Sequence, residues 1–285
     1  MAHHFPPSAD TAFMTSPPQM ALARPAPTAG YNDITRLPRK RHDEGRPLLL
    51  ILDLNGTLLH RVDRSKSASF SRRKYLAEFL AFSFSVAKVM IWTTAQPKNA
   101  ALMRNNMLTP AQSQNLVATW GRDRFNLNSA QYHEKTQVYK RLEWVWADDA
   151  IQRTHPKYAE GERWNQLNTI LLDDSEVKAA AQPYNHILVP EFEGPSSDSK
   201  VKNGAVLEQV AGYIEEARHW DNVSAFMRDC PFEVDDKVGG HGAWFKEFWP
   251  NDELDPTGQL WPRTDVGNLN NFFMNGYDDE NMQWG

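Results

Sequence analysis

Cysteine is almost missing from this chain of 285 residues: the single one, Cys230, excludes an internal disulfide framework and any cysteine-rich zinc site. Excess positive charge is missing too. Lys and Arg number 31 against 36 Asp and Glu, for a formal net charge of −5, so direct nucleic-acid binding is not expected. No apolar run is long enough to cross a bilayer. The longest such stretch, residues 75–92, contains Glu78 and Lys88 and alternates with serines, whereas a span needs about 20 apolar residues. A charged-then-apolar leader is absent as well, which points to an intracellular address, nuclear or cytoplasmic. An acid-poor start carrying Arg24 leaves a mitochondrial one open. The Walker phosphate loop, the Gly-x-Ser-x-Gly elbow and the dinucleotide fingerprint do not occur. His133, His155, His186, His219 and His241 are too scattered to form a histidine metal site.

What is present falls into three textures. Residues 1–30 hold six prolines and one acidic residue, Asp10, and cannot bury enough apolar surface to offset their ordering entropy. With the basic cluster Arg36, Arg39, Lys40 and Arg41, which reads as a solvated linker or a nuclear-import patch, they make residues 1–44 a disordered proline-rich and basic segment. Residues 45–220 alternate short apolar runs with helical spacing. Residues 47–52, 89–92, 116–118, 169–172 and 186–189 read as strands, and residues 75–80 and 138–146 as helices. Alternation of this kind predicts an α/β domain, a doubly wound parallel sheet with right-handed crossovers. Residues 221–285 form an extension. Between Trp244 and Trp284 it carries nine aromatics and eight acidic residues against two basic ones, and Trp244, Phe245, Phe248 and Trp249 are its densest cluster. Such a tail either docks on its own domain or engages a protein partner.

Ligands in parallel sheets bind beyond the carboxyl ends of the strands. There the chain places Asp53-Leu54-Asn55-Gly56-Thr57, then Thr93-Thr94, then Asp173-Asp174-Ser175, with Lys135 and Lys140 on the segment before the fourth strand. Crowded carboxylates repel unless a cation sits among them, and an all-oxygen set selects a hard ion such as Mg²⁺. A phosphoryl group would need Lys140, hydroxyl donors and backbone N–H groups to balance its charge. Gly56 lets the turn after the first strand fold its N–H groups towards an anion. Asp53 is then placed for in-line attack on phosphorus.

In this order the groups resemble the haloacid dehalogenase superfamily, and within it the RNA polymerase II carboxy-terminal-domain phosphatases and NLI-interacting-factor-like proteins. The likeness covers about residues 45–192 and rests on four segments. Ile51-Leu52-Asp53-Leu54-Asn55-Gly56-Thr57-Leu58 is similar to the family's first motif, Asp-x-Asp-x-Thr after a strand. Ile91-Trp92-Thr93-Thr94 resembles the second, Val138-Tyr139-Lys140-Arg141 the third, and Leu171-Leu172-Asp173-Asp174-Ser175 the fourth. The resemblance implies a haloacid dehalogenase-type fold with a minimal cap. It makes Asp53 the nucleophile and a metal ligand, with the Asn55 backbone carbonyl and the Asp174 carboxylate completing a Mg²⁺ site. Asp173 would orient Lys140, Thr93 would hold the phosphoryl group, and Lys135 is the fallback for the third-motif lysine. Gly56 and Thr57 support the turn.

One position departs from the pattern. Phosphatases of this family carry aspartate two residues after the nucleophile, to protonate the leaving alkoxide and then to activate water; here stands Asn55. An amide can do neither, and losing general acid–base help costs about 10²–10⁴-fold in rate. Two functions follow. The first is a slow Mg²⁺-dependent phosphohydrolase acting on phosphoserine or phosphothreonine proteins through an aspartyl-phosphate. The second is a pseudophosphatase, a phosphopeptide-binding or scaffold module comparable to the mitochondrial inner-membrane translocase receptor subunit. Either way the partner is a phosphorylated protein or peptide.

Overall fold

The structure is a computed structural model that describes residues 22–62, 69–197 and 206–235. Its centre is β1 (Leu49–Leu52), four consecutive apolar residues with all four side chains buried. A strand can be apolar at every position only if both sheet faces are covered, and both are. Parallel to β1 on one side runs β4 (Lys88–Trp92), followed by β5 (Thr119–Trp120). On the other side run β6 (Thr169–Asp173) and β7 (His186–Leu188), giving the order β5-β4-β1-β6-β7, parallel throughout. The chain winds outward from β1 in one direction and then returns to wind in the other. The carboxyl ends of β1, β4 and β6 therefore lie side by side at the point where the strand order reverses. An antiparallel pair, β2 (Leu59–Arg61) and β3 (Phe70–Arg72), follows directly on the turn after β1 and supplies the small cap.

Alternation along the strands separates two apolar layers. Leu50, Leu52, Val89 and Ile91 pack with α2 (Leu76–Val86), α8 (Val206–Ala217) and α9 (Val223–Asp229). Leu49, Ile51, Met90 and Trp92 face the opposite layer, where Leu142 and Val145 of α6 (Leu142–Trp146) and Ile151 of α7 (Asp149–Gln152) meet Trp120 and Trp164. Helices α3 (Pro97–Met107) and α4 (Pro110–Asn115) fill the connection from β4 to β5, and α5 (Ser129–His133) follows β5. No described helix is long and apolar enough to cross a membrane.

Two expectations about single elements are corrected. The third strand is Thr119–Trp120 rather than residues 116–118; Val117 and Ala118 already bond the β4 backbone, but the strand proper begins after them. Residues 138–141 are not helical. The Lys140 N–H donates to the Lys178 carbonyl at 2.7 Å, and only from Leu142 does a helix form, its first N–H capped by the Gln182 side chain at 2.8 Å.

The described part of the N-terminal segment is ordered on the domain. Helix α1 (Ala29–Thr35), capped by Thr28, buries Tyr31, whose hydroxyl donates to Asn185 Oδ1 and accepts from the Tyr184 N–H, both at 2.9 Å. The basic cluster behind it is not a free linker: Arg41 pairs with Glu216 at 3.0 Å, and Arg39 pairs with Asp229 and covers the Trp220 ring. At the other end the domain continues past residue 220. Val223, Phe226 and Met227 of α9 are buried against Tyr213 and Trp220. Trp244, Phe245, Phe248 and Trp249 lie outside the described residues.

Candidate active site

Asp53 follows β1 without a break and is 1% exposed, because its N–H still bonds the Leu172 carbonyl of β6 at 2.9 Å. A carboxylate this deep needs a partner, and Lys140, itself wholly buried, provides it. The Lys140 ammonium donates to Asp53 Oδ1 at 2.7 Å and to Asp173 Oδ2 at 2.6 Å, tying together the ends of two adjacent strands. The non-helical backbone of residues 138–141 brings this lysine to the carboxyl ends of β1 and β6. Lys135 is exposed on the same connection, so the lysine paired with the acids is Lys140.

After Asp53 the chain turns sharply. The Leu58 and Leu59 N–H groups both return to the Leu54 carbonyl, and Gly56 takes φ +89°, a left-handed conformation. Asn55 is exposed at the outer lip of this turn. Thr57 is buried beneath it: its hydroxyl donates to Asp174 Oδ1 at 2.9 Å, accepts from the Asp174 N–H at 3.1 Å, and lies 3.3 Å from Asp53 Oδ2. Thr93, also buried, ends β4 beside β1 with its N–H on the Trp120 carbonyl.

Three residues tie this edge together without having been singled out in the sequence. Arg73, 1% exposed, donates to the Thr57 carbonyl at 2.9 Å and to the Pro190 carbonyl at 2.8 Å, with its guanidinium over the Phe192 ring. The Phe192 N–H donates to the Gly56 carbonyl at 2.6 Å, so the segment after β7 braces the turn after β1. Lys178 is the third. Its ammonium lies 2.9 Å from Asp173 Oδ1, 3.5 Å from Asp174 Oδ1 and 3.8 Å from Asp53 Oδ2. The available signal was its spacing of four from Asp174, an acid–lysine pair within one turn. Of the two arginines in the segment after β5, Arg122 is spent on the carbonyls of Gln131, Tyr132 and Glu134, while Arg124 is about half exposed over Trp120.

These contacts move the titrations apart. Burial alone would raise Asp173, but Lys140 and Lys178 together hold its carboxyl down at about 2. For Asp53, withdrawal from water outweighs the pull of Lys140 and lifts the carboxyl above its usual range. Burial would lower the Lys178 ammonium, yet Asp53, Asp173 and Asp174 carry it above the ordinary lysine value.

One oxygen each from Asp53, Asp173 and Asp174 lies within 4.8 Å of the others. This all-oxygen set fits a hard divalent ion, which the three carboxylates would hold between them. An acid, a lysine and hydroxyls at adjacent strand ends, beside carboxylates that could hold a cation, make an arrangement suited to a phosphoryl group.

Comparison with known proteins agrees. Residues 48–224 match the family model described as NLI interacting factor-like phosphatase. An uncharacterized FCP1 homology domain-containing protein of Schizosaccharomyces pombe is 34% identical over 194 residues, covering 65% of this chain and 78% of the relative. Two solved structures of the RNA polymerase II CTD phosphatase Fcp1, one from fission yeast bound to beryllium fluoride, are similar at 15% identity and a TM-score of 0.34. Each match covers 52% of this chain and spans 42% of the Fcp1 chain. Since the family model takes in the whole parallel sheet and reaches into α9, the chain belongs to the NLI interacting factor-like phosphatases.

Proposed function

We propose that this chain is a slow phosphohydrolase acting on phosphoserine or phosphothreonine in an intracellular protein, through an aspartyl-phosphate on Asp53. The observation that carries the reading is the Lys140 bridge between Asp53 and Asp173, 2.7 Å and 2.6 Å long in a fully buried site. It holds Asp53 Oδ1 in place and leaves Oδ2, with Thr57 at 3.3 Å, as the oxygen more free to attack. A bond forms from Oδ2 to phosphorus while the bond to the serine oxygen breaks, and that oxygen leaves with the electron pair. A divalent cation such as Mg²⁺, held by the carboxylates, would supply neutralising charge for the phosphoryl oxygens. Thr93, at the end of β4, would hold one of those oxygens, and Lys140 would offset charge on Asp53.

The departing alkoxide needs a proton, and water must lose one in the second step, when it attacks the phosphorus of phospho-Asp53 and releases phosphate. Asn55 can serve neither transfer, so solvent carries both protons and both steps are slow. The same substitution favours a second reading, a phosphopeptide-binding module without turnover, because it removes the proton transfers and spares the pocket. Rates of wild type and Asn55→Asp on a phosphoserine peptide separate the two. A rate above the uncatalysed one in wild type, raised by Asn55→Asp, supports the phosphohydrolase; binding with no turnover in wild type supports the module.

A further inference from the structure

Within the carboxylate cluster two ammonium groups compete for the same acids. Lys140 uses Asp53 Oδ1 and Asp173 Oδ2. Of the oxygens left over, Asp53 Oδ2, Asp173 Oδ1 and Asp174 Oδ1 surround Lys178, at 3.8, 2.9 and 3.5 Å. Those distances put the ammonium where a divalent ion shared by the three acids would have to sit. The lysine is also tethered there. Its own carbonyl accepts from the Lys140 N–H at 2.7 Å, and its N–H bonds the Ser175 carbonyl at 3.2 Å. Its side chain is only 15% exposed.

Charge arithmetic points the same way. Three carboxylates against the two ammoniums of Lys140 and Lys178 leave one net negative charge; without Lys178 there would be two, matching a divalent ion. Asn55 deepens the deficit, because an aspartate there would have added a further negative charge beside the pocket.

We propose that Lys178 is a built-in competitor for the metal site: its ammonium occupies the carboxylate oxygens a divalent cation needs, and sets how weakly that cation binds. This rests on the reading of these carboxylates as a metal site. Being part of the chain, the competitor is present at high effective concentration, and Mg²⁺ must break three ion pairs to enter. In this reading Lys178 also keeps the acids paired in the metal-free protein.

The test is a titration of the metal-free full-length protein with Mg²⁺ alone, followed by calorimetry and by melting temperature, with no substrate present. Lys178→Ser should bind Mg²⁺ at least roughly tenfold more tightly than wild type, since one like charge about 4 Å away is removed. Lys178→Arg should stay near wild type. Lys178→Gln, which keeps hydrogen bonds to the acids, should tighten binding in the same sense as Lys178→Ser and covers the event that the smaller variant does not fold. Equal or weaker Mg²⁺ affinity in the neutral variants would overturn the proposal. Turnover does not enter this readout, so the proposal can fail while the phosphohydrolase reading stands, and the reverse.

Discussion

Gly56 lies directly against Asp174: a Cβ added to the glycine would come within 3.0 Å of Asp174 Oδ2. Its φ of +89° also lies where other L-residues are strained. Gly161 has nearly the same φ, +93°, but open space around the missing Cβ. The pair therefore separates two costs. Gly161→Ala should lose about 1–2 kcal/mol, from the backbone alone. Gly56→Ala should lose more, because Asp174 must also move off Thr57. Denaturant unfolding of both variants measures this; equal losses would show that the turn and the carboxylate are not in close register.

Arg73 joins the turn after β1 to the segment after β7 through the Thr57 and Pro190 carbonyls. Arg73→Met keeps much of the bulk and removes the donors. Leaving the buried Thr57 carbonyl without its donor should cost about 1–3 kcal/mol, while the carbonyl of exposed Pro190 can turn to water. A variant within about 0.5 kcal/mol of wild type in urea unfolding would mean that other groups replace those bonds without loss.

His219 clamps the N-terminal strap to α8, with Nδ1 2.9 Å from the His42 carbonyl and Nε2 3.4 Å from Glu215 Oε1. Both ring nitrogens can donate only when the imidazole is charged. The Glu215 hydrogen bond raises its pKa above the ordinary 6.5, against the opposing pull of burial. A group raised in the folded state contributes its stability fully below the unfolded pKa and loses it as pH rises through the folded one. Melting temperature should therefore fall as pH rises above about 6.5 more steeply in wild type than in His219→Gln. Parallel profiles for the two proteins would remove His219 as a contributor. The effect is modest, since the site is partly exposed and screened by solvent.

Much of this architecture was legible in the residues, for a physical reason. Leu49–Leu52 and residues 170–172 are apolar runs buried on both faces, and such runs announce central strands; the acids that follow them then had to share one edge. What was not legible depends on partners distant in sequence. Tyr31 looks like one aromatic in a proline-rich leader, and it is ordered by Asn185, 154 residues away. Lys140 was expected on a helix because its neighbours have helical spacing. Its backbone N–H bonds the distant Lys178 carbonyl instead, and the helix starts only at Leu142. Lys178 itself sits in a turn with no periodicity, and only the folded turn brings it to the acids. Arg73 reads as a surface arginine until the Thr57 and Pro190 carbonyls close on it.

The central claim, that Asn55 leaves a phosphoryl-transfer site intact while removing its proton transfers, is tested most directly by the rate on a phosphoserine peptide with wild type and Asn55→Asp side by side. The asparagine must be verified by mass spectrometry, because Asn55-Gly56 is a dipeptide prone to deamidation. The account predicts that Asn55→Asp is faster by roughly 10²-fold or more on the peptide. On an aryl phosphate, whose leaving group hardly needs a proton, the gain should be much smaller. Undeamidated wild type that turns over the peptide as fast as Asn55→Asp would contradict the account.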